Sequence, residues 1–340
     1  MNTRMATALA SRAPLFSARF LHAYAVTMRP YLLFVSGITG VAGMALVPGV
    51  PPSAALVVGA AFFLSYGFGQ ALTDCFQMDT DSISAPWRPL VQAQVRRSHV
   101  LSVSLAGLVL VGAALTLANP WNLPLVAAMI AGLATYTRFK RIWWAGPPWN
   151  AWIVAAVCVS GLLAGTGLAR AEAQGNVPGT LDRMAVAGTL ATVFFGYMNF
   201  VLAGYFKDVD ADRRTGYRTM PVQLGRSASS IVSDALAVAA MAGALVAFAS
   251  APAPGGLPVR VVAASLLLAG AVCSFVAQVR LHEVRNDAAA HRAVVPVVHA
   301  YVLLLSGIAA AHRPGWSGAL LAFVALYFAA IAMRPAREQV

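Results

Sequence analysis

The chain reads Tyr205-Phe206-Lys207-Asp208-Val209-Asp210-Ala211-Asp212-Arg213-Arg214-Thr215-Gly216 where a long apolar stretch ends. Its aspartates, Asp208, Asp210 and Asp212, are called the second acidic cluster. The first acidic cluster, Asp74, Asp79 and Asp81, follows an earlier apolar stretch. The two clusters hold half of the 12 acidic residues in the 340-residue sequence. Carboxylates this close together repel one another and attract cations, so the two clusters indicate a site for hard metal ions and a polyanion.

The composition is that of an integral membrane protein. Apolar residues make up 59% of the chain and charged residues only 11%, too few to cover a soluble protein of this size. Ten segments approach or exceed the length that crosses a bilayer as a helix. They are 31–48, 54–76, 98–118, 122–138, 148–168, 184–206, 228–250, 259–280, 293–312 and 315–334. Because the fourth is short, we expect an all-α polytopic membrane protein with nine or ten transmembrane helices.

The basic residues orient these spans. If the amino terminus is cytoplasmic and the spans alternate, the opposite side holds only Arg170, Arg183, Arg260 and Arg313 of the 24 Lys and Arg residues. Basic residues concentrate on the cytoplasmic side of membrane proteins. Both acidic clusters, and the active site they would form, are therefore expected at the cytoplasmic side. This topology and an anionic lipid bilayer account for the net charge of +12, with no nucleic acid partner.

Residues 1–28 are predicted to form a cytoplasmic N-terminal tail, and residues 29–336 a single transmembrane domain. The tail carries Arg4, Arg12 and Arg19 and no acid, a pattern that an organellar transit peptide shares. The chain has 22 Arg and two Lys, a bias typical of a GC-rich genome. We therefore expect a bacterial inner membrane, with an organellar membrane as the alternative. No feature of the sequence identifies a protein partner.

The first acidic cluster lies after the second predicted span. A helix continuing through it would place Asp74, Gln77 and Asp81 at i, i+3 and i+7, on one face, with Asp79 pointing elsewhere. Pro86 would then end that helix. The sequence thus predicts two carboxylates and one amide on a single helix face.

The second acidic cluster has a similar geometry, because Asp208 and Asp212 are at i and i+4 and Gly216 marks a helix end. Mg²⁺ takes oxygen ligands, usually one or two carboxylates with substrate phosphate, so two such faces suit roughly two or three ions around a diphosphate. Acids near helix ends are also often solvated or paired with arginines. Two clusters on the same predicted side of the membrane favour the metal site.

These residues resemble the UbiA family of intramembrane prenyltransferases, which carry two Asp-rich motifs on cytoplasmic loops after helices 2 and 6. The stretch Asp208–Thr219, followed by Pro221-Val222 and Leu224-Gly225, is similar to the family's DxxxDxxxGxxT pattern. Arg88-Pro89-Leu90 is similar to its RPL element, and Tyr136-Thr137-Arg138-Phe139-Lys140 to its Tyr-x-x-x-Lys stretch. The resemblance covers residues 29–310.

The first motif departs from the family's NDxxDxxxD pattern. The aligned positions are Thr73, Asp74, Gln77 and Asp81, so the usual Asn is Thr and a central Asp is Gln. A neutral amide attracts a dication less strongly than a carboxylate does. The departure implies a weaker metal site, or a changed substrate or reaction.

The resemblance implies Mg²⁺-dependent transfer of a prenyl group from a prenyl diphosphate to an aromatic acceptor or a quinone or lipid precursor. The implied Mg²⁺ ligands are Asp74, Asp81, Asp208 and Asp212, which with Lys140 form the implied catalytic set. The implied substrate-binding residues are Thr73, Gln77, Arg88, Tyr136, Arg138 and Lys207. Asn199, an amide inside a span, is expected either to contact substrate or to hydrogen-bond between helices.

Two other functions stay open at this point. A terpene cyclase of the same family type would close the allylic cation on its own tail and need no acceptor. A degenerate, non-catalytic membrane relative would explain Gln77 as early loss of a metal site. A transporter is disfavoured, because the acids lie at helix ends and not near the bilayer midplane.

Overall fold

The computed structural model describes residues 13–175, 180–252 and 256–334, which are helical with no strand in these ranges. The helices are α1 Ala18–Met28, α2 Leu33–Ala45, α3 Pro52–Asp74, α4 Met78–Ser84, α5 Arg97–Ala118, α6 Asn122–Lys140, α7 Gly146–Glu172, α8 Arg183–Tyr205, α9 Val209–Arg214, α10 Met220–Leu224, α11 Arg226–Ala249, α12 Gly256–Glu283, α13 Asp287–His312 and α14 Ser317–Ala332. Short 3₁₀ turns at Pro30–Leu32 and Pro314–Trp316 precede α2 and α14. The predicted all-α fold is confirmed.

Among the described residues, nine helical segments are long and apolar enough to cross a membrane. They are Ala18–Ala45, Pro52–Asp74, Arg97–Ala118, Gly146–Glu172, Arg183–Tyr205, Arg226–Ala249, Arg260–Glu283, Asp287–His312 and Pro314–Ala332. Helix α6, the short fourth predicted span, is 19 residues long and falls outside this set. Its ends carry Asn122, Arg138 and Lys140, which lower its mean hydropathy. Whether α6 is counted as a span decides between nine and ten transmembrane helices in the described part of the chain.

The predicted N-terminal tail contains a packed helix. The hydroxyl of Ser17 caps α1 by accepting the Phe20 N–H, and Phe20 and Tyr24 are buried. The Tyr24 hydroxyl lies 2.9 Å from Ser104 Oγ of α5. Helix α1 is therefore part of the bundle, while residues 1–12 of the tail lie outside the described residues. The division of the chain at residue 28 stays a prediction.

The first acidic cluster is not on one continuous helix, and that expectation is wrong. Helix α3 ends at Asp74, and α4 begins at Met78. Between them the N–H groups of Cys75, Phe76 and Gln77 donate to carbonyls three residues earlier, at 3.2, 2.9 and 3.3 Å. This tighter 3₁₀ pattern ends α3 and redirects the chain. Helix α4 stops at Ser84, before the prolines, as expected.

The second acidic cluster follows the predicted geometry. Asp208 immediately precedes α9, and the Asp212 N–H donates to the Asp208 carbonyl at 2.7 Å. Gly216 has a φ of +77°, a left-handed conformation that suits glycine and ends the helix. The Tyr217 N–H then donates to the Asp212 carbonyl at 2.8 Å. Asp208 and Asp212 are therefore one helical turn apart, with Asp208 immediately before α9.

Small residues allow the spans to pack closely. A Cβ atom built on Gly161 of α7 would lie 2.1 Å from the Gly40 carbonyl oxygen of α2. One on Gly43 of α2 would lie 2.1 Å from the Cys158 carbonyl oxygen of α7. Close backbone contact of this kind is how membrane helices gain van der Waals packing without a hydrophobic driving force. The α2–α7 contact holds the first half of the bundle together.

We expect Gly161→Ala to destabilise the protein by about 1–3 kcal/mol, because the added methyl collides with backbone that cannot rotate away. The measurement is reversible unfolding in mixed micelles. Gly318→Ala in α14 is the control, since a Cβ there meets nothing within 4 Å. Equal stability of the two variants would contradict the close α2–α7 contact.

Candidate active site

A polar cavity lies where the ends of α3, α6 and α8 meet α4 and the loop before α9. Its charged wall consists of Arg29, Asp74, Asp81, Arg88, Lys140, Lys207 and Asp208. Its other lining residues include Tyr66, Gln70, Thr73, Gln77, Tyr136, Asn150, Tyr197 and Tyr205. The two acidic clusters, 127 or more positions apart in sequence, are thus brought to one cavity.

The acids of the first cluster are already paired. The Arg29 guanidinium lies 3.1 and 3.2 Å from the two Asp74 oxygens, and the Gln70 amide donates to Asp74 Oδ1 at 2.6 Å. Asp81 forms an ion pair with Arg88, which also lies 3.7 Å from Asp74. Asp74 and Asp81 are 4% and 6% exposed, so these pairs are largely shielded from water. Each carboxylate is neutralised by an arginine.

The acids of the second cluster differ from each other. Asp212 is fully buried, with Oδ1 at 3.2 Å from Lys140 Nζ and Oδ2 accepting from the Thr219 hydroxyl at 3.0 Å. Asp208 lines the cavity, and its Oδ1 is buried with no hydrogen bond from any residue that the structure describes. Asp208 therefore offers a buried anionic oxygen, and Asp212 fixes Lys140 at the cavity wall.

Burial shifts the ionisation of these groups. It raises the pKa of Asp212 to about 6, although Lys140 and Thr219 favour the charged form. Burial also lowers the pKa of the Lys207 ammonium to about 8, against the opposing charge of Asp208. The pKa of Asp208 is lowered, because the charges of Lys207 and Lys140 outweigh its burial. The lowered pKa values keep Asp208 ionised at neutral pH and make the Lys207 ammonium a stronger acid than an exposed lysine.

The remaining two acids of the clusters lie outside the cavity. Asp79 accepts hydrogen bonds from Arg141 at 3.0 Å and from the Tyr217 hydroxyl at 3.2 Å, and its side chain is 42% exposed. Asp210 is 61% exposed and lies 3.6 Å from Arg213. The sequence prediction that Asp79 points elsewhere agrees with this placement, although the helix it assumed is broken.

An apolar cavity adjoins the polar one. Its lining includes Phe62, Leu108, Val111, Leu115, Val126, Met129, Leu133 and Ile153. Five residues line both cavities: Tyr66, Gln70, Thr73, Asn150 and Tyr197. The charged wall thus leads directly into an apolar space between α3, α5, α6 and α7. This arrangement suits a molecule with an anionic head and a hydrocarbon tail.

Two predicted substrate-binding residues, Arg138 and Asn199, do not line the polar cavity, and for Asn199 the structure shows the interhelical hydrogen bond that was one of the two expected alternatives. Arg138 is exposed, because residues two positions apart on a helix point in nearly opposite directions and Lys140 faces the cavity. Asn199 accepts a hydrogen bond from Ser233 of α11, so it joins two helices. The predicted residues that do line the polar cavity are Thr73, Asp74, Gln77, Asp81, Arg88, Tyr136, Lys140, Lys207 and Asp208.

Four residues that were not predicted from the sequence also line the polar cavity: Arg29, Tyr66, Gln70 and Tyr205. Tyr66, Gln70 and Thr73 are at i, i+4 and i+7 of α3, a polar stripe that helical periodicity in an apolar span would have revealed. Tyr205 hydrogen-bonds the Tyr136 hydroxyl at 2.9 Å. No local pattern marks Arg29, whose partner lies 45 positions away.

The residues present fit a metal ion only in part. Asp208 Oδ1 is a buried oxygen without a hydrogen-bond partner among the described residues, whereas both Asp74 oxygens are taken by Arg29. Within the described ranges, no three His, Cys, Asp or Glu side chains form a ready-made metal cluster. Mg²⁺ usually binds through one or two carboxylates and completes its shell with water and phosphate. The donor set around Asp208 therefore fits Mg²⁺ with a phosphate ligand.

The chain is similar to known membrane prenyltransferases. A sequence model described as the UbiA prenyltransferase family matches residues 36–295. A digeranylgeranylglyceryl phosphate synthase of Thermococcus gammatolerans is 30% identical over 224 residues, covering 64% of this chain and 75% of that protein. The enzyme of the same name from Natronomonas pharaonis is 31% identical over 192 residues, covering 56% of this chain and 64% of that protein.

Solved structures share the fold. A UbiA homologue from Aeropyrum pernix K1 in its apo form aligns with a TM-score of 0.65 at 19% identity, covering 81% of this chain and 96% of that one. A UbiA homologue from Archaeoglobus fulgidus bound to DMAPP and Mg²⁺ aligns with a TM-score of 0.61 at 17% identity, covering 92% and 99%. The family match spans most of the helices that carry the cavity. The chain belongs to the UbiA prenyltransferase family.

Proposed function

We propose that the protein transfers a prenyl group from a prenyl diphosphate to an acceptor, in a Mg²⁺-dependent reaction. The observation that carries the proposal is the continuity of the two cavities, which share Tyr66, Gln70, Thr73, Asn150 and Tyr197. The charged wall suits the diphosphate, and the apolar cavity suits the isoprenoid tail. The allylic carbon would then lie at the boundary, among the shared residues.

Four charged residues are assigned roles in this reaction: Lys140, Lys207, Asp208 and Asp212. Lys140 and Lys207 bind diphosphate oxygens as point charges. Asp208 would hold Mg²⁺, which when bound neutralises charge on the leaving diphosphate. The oxygens of Asp212, the other implied ligand of the second cluster, are engaged by Lys140 and Thr219. The pairing of Asp212 with Lys140 at 3.2 Å keeps that ammonium at the wall, ready for the developing anion.

Tyrosine rings line the cavities where the prenyl group would lie. Tyr66 and Tyr197 line both cavities, and Tyr136 and Tyr205 line the polar one. Their rings present electron-rich faces to an allylic cation. The Tyr136–Tyr205 hydrogen bond fixes two of these rings.

The apolar helices and the family membership make this chain an integral membrane protein. Our proposal includes a cytoplasmic cavity, supported by the asymmetry of basic residues, and a bacterial inner membrane, supported by the bias of 22 Arg to two Lys. The acceptor we propose is an aromatic compound or a quinone or lipid precursor. The relatives' name, which specifies a glyceryl phosphate product, supports a lipid acceptor.

The test is diphosphate release by the purified protein with Mg²⁺ and geranyl, farnesyl or geranylgeranyl diphosphate, with and without aromatic and glyceryl phosphate acceptors. Mass spectrometry identifies the products. Release that depends on an acceptor supports the transferase. A terpene formed from donor alone would replace it by a cyclase, and no release with any combination would favour a non-catalytic relative.

Replacing either acid of the second cluster should remove activity. We expect Asp208→Asn and Asp212→Asn each to lower turnover at least about 100-fold, because the amide loses the charge that holds the metal or orients Lys140. Steady-state diphosphate release measures this. Asp210→Asn is the matched control, since that exposed acid lies outside the cavity. Full activity in Asp208→Asn would refute the metal assignment.

Filling the apolar cavity should shorten the accepted donor. Met129 lines that cavity, so Met129→Trp is expected to reduce turnover of farnesyl diphosphate about tenfold more than that of dimethylallyl diphosphate. Competition between the two donors gives the ratio directly. Ala128→Trp, at an exposed neighbouring position of α6, should leave the ratio unchanged. An unchanged ratio in Met129→Trp would place the tail elsewhere.

A further inference from the structure

We propose that the first acidic cluster of this chain holds arginines in place of a metal. Asp74 and Asp81 position Arg29 and Arg88 as diphosphate ligands, and the divalent ion is held from the Asp208 side alone. This inference rests on the proposed function, since it assigns the diphosphate and its metal within the same cavity.

Both oxygens of the Asp74 carboxylate already have hydrogen-bond partners. Arg29 Nη2 lies 3.1 Å from Oδ1 and 3.2 Å from Oδ2, and the Gln70 amide donates to Oδ1 at 2.6 Å. Asp81 pairs with Arg88 through one of its two oxygens, Oδ2. A metal entering here would have to displace guanidinium groups that are 13% and 17% exposed. Breaking such shielded pairs leaves a buried charge without a partner and is costly.

Thr73 and Gln77, the other two residues aligned with the family's first motif, carry no charge. Thr73 donates its hydroxyl hydrogen to the Gln70 carbonyl at 2.9 Å. Gln77 lines the cavity, and its amide offers one neutral oxygen. Asp79, the third acid, is bound outside the cavity by Arg141 and Tyr217. Among the described residues, no buried carboxylate oxygen of the first cluster is without a hydrogen-bond partner, in contrast to Asp208 Oδ1.

The arginines are well placed to bind phosphate. Arg29 and Arg88 both line the polar cavity. A guanidinium has five N–H donors, and a carboxylate engages only some of them, so others stay free for phosphate oxygens. Charged hydrogen bonds of this kind are roughly twice as strong as neutral ones. The first cluster thus supplies positive charge to the diphosphate through its arginines.

The net charge of the cavity with a bound diphosphate also limits how many metal ions it can hold. The acids Asp74, Asp81, Asp208 and Asp212 are matched by an equal number of bases, Arg29, Arg88, Lys140 and Lys207. A prenyl diphosphate adds about three negative charges, since its terminal phosphate ionises near pH 6. One divalent ion leaves the site about one charge negative and two leave it about one charge positive, whereas three would leave the shielded site about three charges positive.

The test counts metal ions bound with an unreactive donor. Full-length protein in nanodiscs is titrated with Mn²⁺ and farnesyl thiodiphosphate, and electron paramagnetic resonance measures bound Mn²⁺. We expect about one Mn²⁺ per chain, lost in Asp208→Asn. Asp81→Asn should keep that count while weakening binding of the analogue about tenfold, because Arg88 loses its anchor.

Two further variants complete the test. Asp79→Asn is the matched control and should bind metal and analogue as the unmodified chain does. Gln77→Asp should add a second Mn²⁺, since it restores a carboxylate at the cavity wall. Two or more Mn²⁺ in the unmodified chain, with one lost in Asp81→Asn, would overturn this inference and leave the proposed function standing. Failure of the unmodified chain to bind the analogue with Mn²⁺ would overturn both.

Discussion

Buried charges at the end of an apolar bundle must find partners, and this constraint shapes the site. Arg29 and Asp74 join the end of α1 to the end of α3, and Lys140 and Asp212 join α6 to α9. Each pair is almost free of water, so separating its members would be costly. Lipid tails are as apolar as the helix surfaces, so apolar contact alone specifies helix position weakly. The ion pairs supply the missing specificity where the helices end.

The sequence predicts most of the fold, because a span is a local property of composition. The stop at Gly216 is also predicted, because it depends on a local left-handed backbone. Tyr136 and Lys140, which line the polar cavity, are implied by the resemblance to the UbiA family. The break after Asp74 could not be predicted in this way. Arg29 contacts Asp74 at that break, and a contact between residues 45 positions apart depends on the tertiary structure. For Asn199 the sequence leaves two alternatives open for the same reason, since its partner Ser233 belongs to another helix.

The two joined cavities separate the demands of an amphiphilic substrate. Charged groups crowd the polar cavity, while the shared boundary carries neutral polar and aromatic side chains such as Gln70, Asn150 and Tyr197. In the proposed reaction, that boundary must tolerate a cation for a short time without supplying a nucleophile. Aromatic rings meet this demand, because their faces attract positive charge and carry no basic lone pair directed at it. Amides add dipoles without adding charge.

The turn at Arg29 also determines how the first span relates to a bilayer. Residues Ala18–Ala45 form a 28-residue apolar segment, which as one straight helix would measure about 42 Å against a hydrocarbon core of about 30 Å. Arg29 has a φ of +53°, an uncommon conformation for a side chain-bearing residue, and it interrupts the helix there. The ion pair with Asp74 holds that residue in place. One buried contact thus divides an overlong segment and relieves the thickness mismatch that a continuous helix would impose on the surrounding lipid.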